Sequence, residues 1–252
     1  MFTRNYYCLI AGLPDILIDD TKLLESSTGF KSELKEQLHP ADYDLVELLY
    51  LPYDNENLLN KLLKKDFAFN KHGKYSEEKI DEQIKEPGDI VDYMKQFIIS
   101  YKTETPLFPN LSWENQLQSL FYNYVLSTKN EFFKNWCYFE LNLKNILAAQ
   151  NCRRFNYDLE NQLIPITHKN EVFENLLKST PKTDTLADEV PFVDKILHFS
   201  EDGMNILERE KGIDNIKWQF LDENTFFNYF TIEKILSYVI KLSIIERWRV
   251  YK

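Results

Sequence analysis

Glycine is scarce in this chain, with 6 in 252 residues. So few glycines, spread so widely, leave no phosphate-cradling loop. No G-x-x-x-x-G-K-[ST], G-x-G-x-x-G or G-x-S-x-G occurs, which excludes the usual nucleotide loops and the hydrolase nucleophile elbow. Cysteine is also sparse. Cys8, Cys137 and Cys152 form no C-x-x-C pair. Cys137 and Cys152 lie fifteen residues apart in one helical region, too far to bridge. All three are therefore expected as reduced core thiols in a reducing compartment. Long hydrophobic runs are missing too. The longest uninterrupted one is the six residues Tyr6 to Ala11, against about 20 needed to cross a bilayer. The expectation is a cytoplasmic protein with no direct transmembrane insertion and no signal peptide. Positive charge is in deficit, with a net charge of −10 and a pI near 5.0. That argues against nucleic acid as a partner and against unaided binding to an anionic membrane. His39, His72, His168 and His198 are scattered, and no pair has metal-ligand spacing on a helix. No catalytic, cofactor-binding or metal-binding constellation is expected, and no cofactor.

What is present is apolar and periodic. Hydrophobic residues make up 44% of the chain and aromatics 15%, enough for a substantial core. The organising stretch is Trp113 to Arg154, forty-two residues without Gly or Pro. Leu117, Leu120, Phe121 and Tyr124, then Phe132, Trp136, Phe139, Leu143, Ile146 and Leu147, recur at helical spacing. Ser112 suits its start as a cap. Unbroken, the stretch would run ~60 Å; a break at Ser127–Asn130 fits equally well, because these residues compete for the backbone.

Shorter helices precede and follow it. Pro40 suits a first helical turn, Pro52 an end, Asp54 a cap for Leu58, Leu59, Leu62 and Leu63, and Ser76 another cap. Ile90, Met94, Phe97, Ile98 and Tyr101 mark one more amphipathic face. Residues 1–20 read as a terminal segment packed into the core, strand or helix being undecided. Residues 179–190 read as a polar connection, and Pro191 to Lys211 as helix interrupted or bent at Gly203. Gly212 reads as a left-handed stop. Ile213 to Lys252 again lacks Gly and Pro, with a stripe at Ile232, Ile235, Leu236, Val239 and Leu242. The fold class is therefore all-α: long helices in a multi-helix, pseudo-repeated, elongated or funnel-like bundle. The prolines at 106 and 109 suggest a boundary between an N-terminal lobe, 1–105, and a C-terminal lobe, 106–252, the alternative being one continuous domain.

Charge is segregated. Glu77 to Asp92 has seven acids and two lysines, whereas Lys129 to Arg154 has five bases and two acids. Lys241 to Lys252 has four bases and one acid. Arg153, Arg154, Arg247 and Arg249 fall near the ends of the two long segments. Cations there stabilise the negative pole of a helix. The alternative is that these basic ends, with Lys144 and Lys241, contact a partner.

The C-terminal stretch Asn205 to Trp248 resembles the closing repeat of the C/d-type subunit of V-type and A-type rotary ATPases, with Tyr238, Lys241, Glu246 and Arg247 in comparable places. Phe132 to Arg154 is similar to a second helix of that family, through Glu140-Leu141-Asn142-Leu143-Lys144-Asn145. The opening NYYCLIAGLPD resembles a short bacterial branch encoded among V-type ATPase subunits. Two echoes are visible where family members carry three repeats. The resemblance implies an all-helical coupling subunit without an active site, gripped between the central shaft and the membrane rotor ring. Its place would be peripheral to the inner membrane, held through the complex. The competing expectation is a free-standing helical adaptor or regulator.

Overall fold

In the computed structural model, residues 4–20, 25–178, 183–199 and 203–250 are described. Their regular structure is entirely helical: thirteen α-helices and one 3-10 turn, with no strand among the described residues. The chain divides into two compact units, Met1–Leu49 with Asn205–Lys252, and Tyr50–Met204.

The first unit holds α1 (Tyr7–Ala11), α2 (Ser27–Gln37), α3 (Pro40–Leu48), α12 (Ile206–Thr225) and α13 (Ile232–Val250). Its centre is α13, which packs against α2, α3 and α12. The expected stripe is its buried face, from Ile232 through Ile235, Leu236, Val239 and Leu242. Phe30 of α2 meets Tyr238 edge to face at 5.3 Å. Ser27, at the start of α2, donates its amide (2.8 Å) and hydroxyl (2.5 Å) to the Glu246 carboxylate of α13. A carboxylate from a distant helix thus meets the Ser27 amide at the positive end of α2.

The second unit holds α4 (Leu51–Leu62), α5 (Glu77–Lys85), α6 (Asp92–Lys102), α7 (Trp113–Val125), α8 (Glu131–Phe155), α9 (Glu171–Leu176), α10 (Thr183–Glu189) and α11 (Val193–Phe199). Helices α6 and α7 pack along each other, α4 packs on α5 and α7, and α8 packs on α7, α9 and α11. Ser76 and Ser112 cap as expected, accepting from the amides of Lys79 and Asn115.

Several expectations change. The long central stretch is two helices, the second of the alternatives above. Asn130 opens α8 by accepting from the Phe133 amide at 2.8 Å. Division of the chain at 105/106 falls inside the second unit. There Gln116 of α7 accepts from the amides of Leu107 and Phe108 and donates to the Leu111 carbonyl, tying the proline-containing connection to the helix it precedes. Pro52 sits in the first turn of α4 and begins that helix rather than ending the previous one. Asp54 follows it inside the helix and is no cap. Residues 183–189 form α10 where a polar connection was expected; residues 179–182 lie outside the described ones.

Gly212 is no stop. It is buried within α12, whose apolar face of Ile213, Ile216, Phe220 and Leu221 outweighs the ~1 kcal/mol that Gly costs a helix. The interruption at Gly203 is present, with φ +82°, a conformation Gly adopts freely. The last forty residues break at 226–231, between α12 and α13. The N-terminal segment is a short helix with one buried residue, Ile10, and Cys8 is exposed. Of the five residues of this helix only Ile10 reaches the core, so the segment buries little apolar area. Cys137 and Cys152 are buried, as expected.

Candidate functional site

Helix α8 carries the motif Glu140 to Asn145, and its two asparagines are buried and hydrogen-bonded to the segment that follows the helix rather than facing solvent. Asn145 is fully buried; it donates to the Ile164 carbonyl at 3.0 Å and accepts from the Ile164 amide at 2.8 Å. Asn142, 1% exposed, accepts from the Asn170 side chain at 3.0 Å. Asn170 in turn caps α9 by accepting from the Phe173 amide. The segment after α8 is thereby fixed to the helix by buried polar bonds, each costly to leave unmade.

Helices α12 and α13 are joined in the same manner. Asp214, 1% exposed, accepts from the Trp248 indole at 2.6 Å and from the Arg247 guanidinium, which also lies 3.6 Å from Glu210. Lys241 is buried, 2.5 Å from Asp222 and 4.5 Å from the centre of the Trp218 ring. Burial pulls its ammonium below the ordinary lysine range, and Asp222 opposes that shift.

The six basic residues singled out from the sequence separate accordingly. Lys144, Arg153 and Arg154 belong to the second unit, and Lys241, Arg247 and Arg249 to the first. Lys144 is exposed, 3.3 Å from Gln118 and 5.3 Å from the Tyr122 ring. Arg153 donates to the Leu176 carbonyl at 2.8 Å, closing α9 onto α8. Arg154 lies 5.9 Å from the Phe155 ring. Arg249 is exposed and lines a cavity of about 130 Å³ with Trp248 and Lys211. Lys241 and Arg247 therefore hold helices together within their unit, while Lys144 and Arg249 face solvent.

A second cavity, of about 370 Å³, lies in the first unit among Cys8, Asp15, Asp20, Glu25, Glu33, Phe30 and Tyr238. Burial, and after it the negative lining, shift its groups. Burial and the neighbouring Glu33 push the Glu25 carboxyl up, and burial with Glu25 and Asp15 pushes Tyr238 up to about 12. A lining of this charge repels anions. The histidines stand apart: His39 caps α3, His72 meets Tyr53 edge-on, His198 lies tilted against the Phe199 ring, and His168 is exposed. Among the described residues, no group of three or more His, Cys, Asp or Glu is placed to hold a metal ion. No helix among them is long and apolar enough to cross a membrane.

The tip between α12 and α13 has no counterpart in the sequence reading. Phe226, Phe227 and Tyr229 are exposed there. The run FFNYF was the available signal, hidden because the stretch has no Gly or Pro to mark an end. Compared with curated proteins and with solved structures, the chain matches none. A family model described as "Protein of unknown function (DUF2764)" matches residues 3–251, and the chain belongs to that family.

Proposed function

We propose that this protein is a non-catalytic coupling subunit of a V-type ATPase or ATP synthase, linking the central shaft to the membrane ion-translocating ring. The observation that carries the reading is the resemblance of Phe132–Arg154 and Asn205–Trp248 to the C/d-type subunit. Both segments lie on the longest helices, α8, α12 and α13. Their polar residues support the same reading. Asn142, Asn145, Lys241, Glu246 and Arg247 all bind neighbouring segments of their own unit. A part that transmits torque needs helices that do not slide on each other, and satisfied polar bonds between neighbouring segments resist such sliding. ATP chemistry and ion movement would then belong to other subunits, and this chain would reach the membrane through them.

The test is affinity purification of the tagged chain from gently solubilised membranes of its own host. Recovery of the catalytic and ring subunits is the expected result. Recovery of the chain without any of them would defeat the proposal and favour a free-standing adaptor.

A further inference from the structure

At the tip of the α12–α13 hairpin, Phe226 is 73% exposed and Phe227 92%. Their rings meet edge to face, 5.0 Å apart. Tyr229 and Tyr7 are each 56% exposed, and both pack on the Phe230 ring, at 5.0 and 4.8 Å. The Tyr7, Phe230 and Tyr229 group is pinned from below. The Phe230 carbonyl accepts from the Tyr6 amide at 2.7 Å, and Tyr6 and Arg4 bind Asp42 of α3. Tyr7 and Tyr229, held this way, lose little freedom on docking, and exposed aromatic rings such as Phe226 and Phe227 serve as interface anchors.

We infer that this tip is a knob that docks into a concave, apolar socket with a basic rim on another protein. Resting on the coupling role proposed above, that protein is a subunit of the rotary ATPase. A fully buried aromatic residue covers 150–250 Å², so four rings exposed to this degree offer roughly 500 Å². A stable interface needs about 800 Å² per partner. A second convex tip would cover one side of each ring and fall well short, whereas a socket covers every side and adds its rim. Charge points the same way. Glu223 precedes the rings in sequence and Glu233 follows them, while Asp222 is already paired with Lys241. Against these two carboxylates stands Lys234, drawn over the Tyr229 ring at 5.5 Å. The acidic balance disfavours an anionic bilayer or a second copy and favours a cationic rim.

The test places a photo-crosslinking phenylalanine analogue at Phe227 of the full chain, in the native host, with irradiation before solubilisation. A covalent adduct with an ATPase subunit is expected. The F226A/F227A variant should keep its melting temperature, because both rings are exposed, and lose co-purifying ATPase subunits about tenfold or more. If the unmodified chain recovers those subunits but F226A/F227A does so equally, or the adduct forms with lipid or a second copy, the knob is wrong and the coupling role stands. If the unmodified chain recovers no ATPase subunit, the coupling role fails and the assignment of the socket to that complex fails with it.

Discussion

Asp54 is fully buried in α4, and its carboxylate accepts from the amides of Lys74 (2.8 Å) and Tyr75 (3.1 Å), twenty residues away. Gly73 lies so close that a Cβ there would stand 2.9 Å from the Asp54 Cγ. Asp54→Ala leaves two amides without their acceptor. A hydrogen bond to a charged group contributes ~1.5–3 kcal/mol, so the loss should reach about 3 kcal/mol in urea unfolding. Asp54→Asn, keeping one acceptor oxygen, should lose less. Gly73→Ala should also destabilise, by crowding the same carboxylate. A second residue-scale test concerns Tyr6, whose phenol is pushed up to about 12 from 10.0 by burial and by its bond to Asp42. Below the unfolded value of 10.0 the phenol is protonated in both states and its contribution is complete. As pH rises from there towards about 12, the unfolded chain deprotonates first, so stability falls with pH. Ultraviolet titration of Tyr6→Phe should lack a late-ionising phenol that the parent has. Sequence pattern placed Asp54 at a helix start but assigned it the wrong amides. Those of Lys74 and Tyr75 arrive through a loop, and no local rule reports them.

Among the elements, α8 shows what periodicity reveals and what it leaves out. Its apolar positions Phe132, Trp136, Phe139, Leu143 and Ile146 are buried, as their spacing indicates. Asn142 and Asn145 share that interior, and a hydropathy pattern reads them as polar and outward. Asn145→Ala should cost about 2–3 kcal/mol, because both the Ile164 amide and carbonyl lose their partner in a dry site. Asn145→Asp should not restore stability, since a carboxylate cannot donate to the Ile164 carbonyl. Chemical denaturation of the two variants checks both statements. The breaks at 127–130 and 226–231 differ in legibility for a similar reason. Ser127 to Asn130 carries capping chemistry in its own side chains, whereas Phe226 to Phe230 is aromatic and reads like core.

For the whole molecule, the division into Met1–Leu49 with Asn205–Lys252 and Tyr50–Met204 makes the chain's two ends a single unit. A fragment spanning 50–204 should therefore remain helical and melt cooperatively by circular dichroism. A fragment spanning 1–105 should not. It strips α7 from α6 and removes α13, against which α2 and α3 pack. A cooperative melt of the shorter fragment would reverse this view of the molecule. The prolines at 106 and 109 misled because a Pro-rich connection marks a turn equally well within a domain and between domains.

Composition, helical spacing and capping residues were enough to establish an all-α chain and most of its buried stripes, because those depend on neighbours three or four residues apart. Pairings such as Glu246 with Ser27 and Asp214 with Trp248, which join helices within a unit, came only with the folded chain. So did the grouping of its two ends and the exposure of Phe226 and Phe227. These depend on which distant segments meet, and one-dimensional order does not encode distance in space.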